Sequence, residues 1–295
     1  MKAVLLFVIV SGFLWETYDM QQLFKAWTYI VDTPYSHITI SDGIKDDKRT
    51  RSLYIDNITH AGMFYESNEL LYEYTKYYHL FNVFNPKAKE ILLFWWAAYS
   101  YPKSFVETYP DKKLSVVEID PDITKIAKKF FRLKEHNNLE IFHQDARVFL
   151  NTTKRKYDVV LWDAFGSFYS VPYQLTTKEV AQKTYDILSD NWLAIINVIG
   201  ALEWKKSLFI QSEYKTYASV FPEVFLIPVS SPSPLRIQNI MLVAVKDPTN
   251  ILYQTDNQTF AEYIEKKVHL VVRDDAVVLT DDYAPVDYFT SKLLD

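Results

Sequence analysis

The chain has 295 residues, enough to bury a full core as one large domain or as a domain with appendages. Its hydrophobic content of 49% and charged content of 23% are ordinary globular values, and a net charge of -5 without any Lys/Arg run argues against a nucleic-acid partner. With no cysteine, disulfides, thiolate metal sites and cysteine nucleophiles are excluded.

The amino terminus, residues 1–33, holds a strongly apolar run over 3–15 after Lys2, followed by Glu16-Thr17-Tyr18-Asp19. The run is shorter than the roughly 20 apolar residues of a membrane-spanning helix, and no small-x-small cleavage site follows it. Three readings stay open: a buried helix or strand, an uncleaved membrane anchor, or a signal peptide. As an anchor, Lys2 favours a cytoplasmic amino end and an exported domain, which conflicts with a cytosolic cofactor and leaves the orientation open.

Residues 34–85 read as a small β domain with a helix. From Ser36 to Met63 polar and apolar residues alternate, as in His37-Ile38-Thr39-Ile40 and Ser52-Leu53-Tyr54-Ile55. Asp42-Gly43 and Asp56-Asn57 supply turn chemistry, which predicts an antiparallel sheet. Residues 69–84 then follow with helical spacing, and Asn85-Pro86 breaks the chain.

Over 86–250, short apolar strands alternate with helices. Strands are predicted at 91–94, 114–119, 139–142, 157–162, 193–198, 224–229 and 237–245, and helices at 123–131, 177–188 and 208–221. This alternation argues a mainly parallel sheet covered on both faces, an α/β doubly wound, Rossmann-like fold. Only Ser230 to Arg236, with Pro232 and Pro234, separates the last two strands, so these should pair antiparallel, as in class I methyltransferase-like folds. Residues 251–295 read as an extension of the same domain.

Ligands in such sheets bind beyond the carboxyl ends of the strands. Glu118 and Asp120 end the second strand. Glu118 follows the first turn at roughly the 20-residue spacing at which an acid reaches a ribose diol, while Asp120 before Pro121 suits a helix N-cap. Asp145, beside Ala146 after the third strand, could accept from an adenine amine or cap the turn that follows. Asp163 ends the fourth strand with Gly166 and Ser167 opening a loop beyond it, and such a carboxylate can orient an attacking amine and take its proton. The six histidines show neither HxxxH nor HxH spacing, so no metal site is expected.

Together these segments resemble the spermidine synthase-like (polyamine aminopropyltransferase) family from about Thr33 onward. The resemblance is carried by Pro34-Tyr35-Ser36-His37-Ile38, VVEIDPDI from Val116, HQDARVFL from His143, YDVVLWDAF from Tyr157, PYQLTTKE from Pro172 and LTDDYAPVD from Leu279. It is nearest to the domains of this kind that often follow membrane segments, which suits an anchor at 3–15. The resemblance implies aminopropyl transfer from decarboxylated S-adenosylmethionine to a diamine or other small amine, without a metal. It also implies a cytoplasmic homodimer, anchored at its amino end if the run at 3–15 is an anchor. Glu118 becomes the ribose ligand, Asp145 with Ala146 the adenine contact, and Asp163 the acid beside sulfonium and amine. Tyr35, His37, His60 and Tyr74 fall at amine-site positions.

The departures are specific. A second acid, usual three residues after Asp163, is Gly166. The usual Tyr-His-Glu of the amine-binding helix is Tyr72-Glu73-Tyr74, a common glutamine of the small sheet is His60, and the glycine before Asp145 is Gln144. The glycine-rich nucleoside loop reads Trp95-Trp96-Ala97-Ala98, and the turn before the fifth strand has Trp192 in place of glycine.

Glycine itself is scarce, at 5 where average usage of about 7% would give about 20. Indoles in the nucleoside loop predict a lost pocket and a pseudoenzyme or interaction domain, unless they pack inward. A methyltransferase using S-adenosylmethionine itself is the remaining enzymatic alternative. A gene whose host reads UGA as glycine, translated with UGA as tryptophan, would also show tryptophan at glycine positions together with a glycine deficit.

Overall fold

The computed structural model describes residues 27–95, 98–163 and 171–293. The apolar run at 3–15, Trp96 and Ala97, and the loop holding Gly166 and Ser167 lie outside them. No helix among the described residues is long and apolar enough to cross a membrane.

Four strands, β1 (Thr28–Asp32), β2 (His37–Lys45), β3 (Lys48–Ile55) and β4 (Ile58–Phe64), form the expected antiparallel sheet in sequential order. The sheet therefore begins at Thr28, ahead of Pro34. Asp56-Asn57 is a two-residue hairpin turn, with φ of 48° and 66° matching the twist of the strands it joins. Asp42-Gly43 is not a turn. It lies within β2 opposite Arg51 and Thr50, and the Asp42 carboxylate is bound by the Arg51 guanidinium and the Tyr65 hydroxyl. The reversal comes at Asp46-Asp47, where both residues have positive φ. Cross-strand ion pairing thus decides the register that the dipeptide signal suggested otherwise.

The helix expected over 69–84 is two short helices, Glu73–Tyr77 and Leu80–Phe84. At the break, the amides of His79, Phe81 and Asn82 bond carbonyls three residues back, and this tightening swings Tyr77, Tyr78 and Phe81 into the core.

The main sheet has seven strands in the order β10-β11-β9-β8-β5-β6-β7. These are β5 (Glu90–Trp95), β6 (Lys113–Glu118), β7 (Leu139–His143), β8 (Tyr157–Asp163), β9 (Leu188–Gly200), β10 (Glu223–Pro228) and β11 (Gln238–Val245). From β7 through β9 all neighbours are parallel, and β11 is antiparallel to both β9 and β10, as the short 230–236 connection requires. Alternate residues of β5 enter opposite cores: Ile91 and Leu93 face one, Leu92 and Phe94 the other. Burial on both faces explains the unbroken apolar run. The chain leaves β5 to one side for β6 and β7, then returns to β8 on the other. The crevice between the carboxyl ends of β5 and β8 is where a ligand is expected.

Candidate active site

Strand β6 delivers Glu118 to the crevice floor, 1% exposed. Its Oε1 accepts the backbone N–H of Asp120 at 2.9 Å, while Oε2 is buried without a hydrogen-bond partner. Burial, reinforced by the nearby Asp120, holds the Glu118 carboxyl well above the usual range. Asp120 caps the helix Pro121–Phe130 by accepting from Asp122 N at 2.8 Å, with Pro121 at the first helical position.

Glu118 lines a cavity of about 210 Å³ together with Tyr35, Phe94, Asp145, Ala146, Gln174 and neighbouring residues. Asp145 Oδ1 accepts from Val148 N at 2.9 Å, so it caps the helix Ala146–Thr152 as well as lining the cavity. Tyr35 comes from the small sheet. The Thr33 hydroxyl accepts from the amides of Tyr35 and Ser36, and this tight turn between β1 and β2 brings Tyr35 to the cavity wall. A second cavity of about 200 Å³, lined by Lys103, Arg132 and Lys134, lies where the chain enters β7, at the opposite ends of the strands.

Asp163 is the last residue of β8, 4% exposed, in register with Trp95 of β5. Both carboxylate oxygens are held. The Tyr74 hydroxyl donates to Oδ2 at 3.1 Å, and Asn197 Nδ2 donates to Oδ1 at 2.8 Å. The Tyr78 hydroxyl donates to the backbone oxygen of Trp162 at 2.9 Å, fixing the strand end. Burial pushes the Asp163 carboxyl up to about 6 against the opposing pull of Asn197, Tyr74 and Tyr78.

The structure therefore gathers Glu118, Asp145, Ala146 and Tyr35 around one cavity, and Asp163 with Tyr74 one residue beyond the β5–β8 pair whose Phe94 lines it. His37 is exposed and bonds Asp32, and buried His60 is pushed down to about 4 by desolvation; neither lines this cavity. Trp95 ends β5, and Trp192 lies in β9, partly buried against both cores. Asn197, Asn239 and Tyr78 were not singled out from the sequence. The readable signal for Asn197 is an amide inside the apolar run Ala194-Ile195-Ile196-Asn197-Val198.

Residues 99–254, more than half of the chain, match the family model of the spermine/spermidine synthase domain. The chain belongs to this family. This synthase-family chain is 29% identical over 218 residues to a polyamine aminopropyltransferase of Vibrio vulnificus, covering 70% of the chain and 71% of that relative. Its fold is similar to that of a probable spermidine synthase from Corynebacterium glutamicum, with a TM-score of 0.64 at 20% identity over 81% of this chain and 85% of the other. The spermidine synthase of Thermotoga maritima superposes with a TM-score of 0.57 at 17% identity, covering 75% and 73% of the two chains. Both likenesses support the class I methyltransferase-like sheet preceded by a small antiparallel one.

Proposed function

We propose that this chain transfers an aminopropyl group from decarboxylated S-adenosylmethionine to a small amine acceptor. The observation that carries this reading is Asp163: a buried carboxylate with both oxygens pinned, at the carboxyl end of β8 beside a cavity floored by the half-satisfied Glu118. Glu118 Oε2 suits a ribose hydroxyl, because a carboxylate accepts from both hydroxyls of a diol. Asp145 and Ala146 would meet the adenine edge, and Tyr35 would cover it.

In the reaction, the neutral amine nitrogen attacks the carbon bonded to the sulfonium sulfur in line with the breaking bond. The C–N bond forms, the C–S pair returns to sulfur as a neutral thioether, and the amine proton passes to the Asp163 carboxylate. Positioning of nucleophile and leaving group, with a charge that suits the cation, supplies the catalysis. Tyr74 and Asn197 act on Asp163 by fixing its plane. Two copies would form the working unit, with the run at 3–15 as a membrane attachment if it is an anchor.

Calorimetry with decarboxylated S-adenosylmethionine and with S-adenosylmethionine, followed by turnover with putrescine, tests the proposal. Preferential binding of the decarboxylated form with turnover is expected. Preference for the carboxylated form would instead favour a methyltransferase, and no heat with either a pseudoenzyme. Turnover should rise with pH through about 6, as Asp163 becomes ionised to accept the proton. A rate that is flat from pH 5 to 7 would remove Asp163 from the chemistry.

A further inference from the structure

Two asparagines on neighbouring strands form a chain of amides that ends on Asp163. Asn197 of β9 is 2% exposed and donates from Nδ2 to Asp163 Oδ1 at 2.8 Å. Its own Oδ1 accepts from Asn239 Nδ2 of β11 at 3.0 Å. In the β9–β11 register Asn197 faces Met241 and Asn239 faces Ile199, so the two amides are diagonal neighbours on one face of the sheet.

Chemistry fixes the sense of the chain. An ionised carboxylate can only accept, so Asn197 must turn its NH₂ toward Asp163 and its oxygen toward Asn239, which must then donate. We propose that Asn197 and Asn239 are positioning residues for Asp163: Asn239 sets which way the Asn197 amide points, and Asn197 in turn fixes the plane and the charge state of the carboxylate. This rests on the reading of Asp163 given above.

An amide buried between apolar strands is costly unless both its ends are satisfied. Asn197 meets that condition only because Asn239 lies at the required diagonal. Without the Asn239 donor, the present orientation leaves the Asn197 oxygen buried and unsatisfied, so its preference over the flipped one is weakened to what the Asp163 carboxylate alone imposes. Flipped, it would aim an oxygen at the carboxylate. Asp163 would then lose the hydrogen bond to Oδ1 and keep only that from Tyr74.

The titratable groups that meet Asp163 among the described residues are Tyr74 and Tyr78. Both phenols are held well above their usual range by burial and by the negative charge of Asp163. Neither changes charge where Asp163 does, so a shift in its midpoint reports the amides.

The test follows Asp163 directly, by carbon NMR of carboxyl-labelled aspartate in the full chain, with Asp163→Asn to assign the signal. In Asn197→Leu the midpoint should move up by about one pH unit, the scale of one hydrogen bond to a charged group. Asn239→Leu, in a less buried position that does not touch Asp163, should move it in the same direction. Asn239→Asp keeps the shape but reverses the bond, and should move it furthest, since its own charge adds to the effect. In turnover with decarboxylated S-adenosylmethionine and putrescine, the acid limb of kcat should follow the same order while KM for the nucleoside stays put. A merely structural role would lower the folded fraction and leave the midpoint alone. An unchanged midpoint in folded Asn197→Leu or in Asn239→Leu overturns the proposal. Shifted midpoints in a chain that turns nothing over would uphold the amide chain and refute the proposed reaction.

Discussion

At the scale of single residues, Asp163 shows what a buried charge costs where it is needed. Its carboxyl titrates near 6, above the unfolded value near 4. An acid raised in this way favours the folded chain fully only below about pH 4, and that contribution is lost as pH rises through 6. Asp163→Asn should therefore abolish turnover and yet stabilise the fold at pH 7 by about 2–3 kcal/mol, with no gain near pH 3.5, as urea unfolding at the two pH values would show. Trp204 carries strain of another sort, in its backbone. Its backbone sits at φ 64°, ψ -165°, a region essentially confined to glycine, and its indole is 71% exposed. Trp204→Gly should stabilise the chain by about 1–2 kcal/mol, the strain released less the extra chain entropy of glycine. The same backbone extends to residue 204 the reading that tryptophans here stand for host glycines. Peptide masses from the host should show glycine at 95, 96, 192 and 204, and UGG codons at all four would end that idea.

Among the elements, the junctions after β6 and β7 carry two duties each. Asp145 accepts the Val148 amide as a helix cap and also lines the cavity beside Glu118, so the geometry shows the cap and leaves the carboxylate at the wall where the proposed adenine contact would be made. The two duties separate by substitution. Asp145→Asn keeps a good cap and should cost little stability, while Asp145→Ala should cost about 1 kcal/mol in thermal unfolding. Both should weaken nucleoside binding in calorimetry if the carboxylate receives the adenine amine; equal affinity in Asp145→Asn and wild type would leave the cap as its whole role. The strands and their pairing were legible because a sheet buried on both faces writes an apolar run, and Glu118 and Asp163 stand out as the acids where two of those runs end. The turn at Asp46-Asp47 was not legible, because the Asp42–Arg51 pairing lies across the hairpin and outranks a local dipeptide. Nor was the Asn197–Asn239 pair, since its partners lie 42 and 34 residues apart in sequence and meet only through the strand order.

Across the whole molecule, buried ionisable groups set how stability follows pH. His60 and His79 are pushed down to about 4 by burial, so their folded forms are neutral and their contribution rises with pH until about 6.5, the unfolded value. Asp163, Glu118 and Glu213 run the other way, each raised by burial. Above pH 6.5 the histidines add nothing more, and the acids raised by burial continue to lower stability until each is ionised in the folded chain. Glu213 is fully buried in the helix Leu208–Ala218, and neither carboxyl oxygen has a hydrogen-bond partner. Nothing in the geometry compensates it, so burial raises the acid well above its unfolded value, and its contribution to stability is lost as pH climbs between the two. Each pH unit then costs up to about 1.4 kcal/mol for that one group. Glu213→Gln removes the titration while keeping the shape. Its stability relative to wild type should grow with pH above about 4.3, the unfolded value, measured as the difference in urea unfolding free energy. A difference that stays constant over that range would mean that Glu213 finds a partner in the folded chain and is ionised there. Turnover should be unaffected, because Glu213 does not line the cavity that holds Glu118 and makes no hydrogen bond to Asp163.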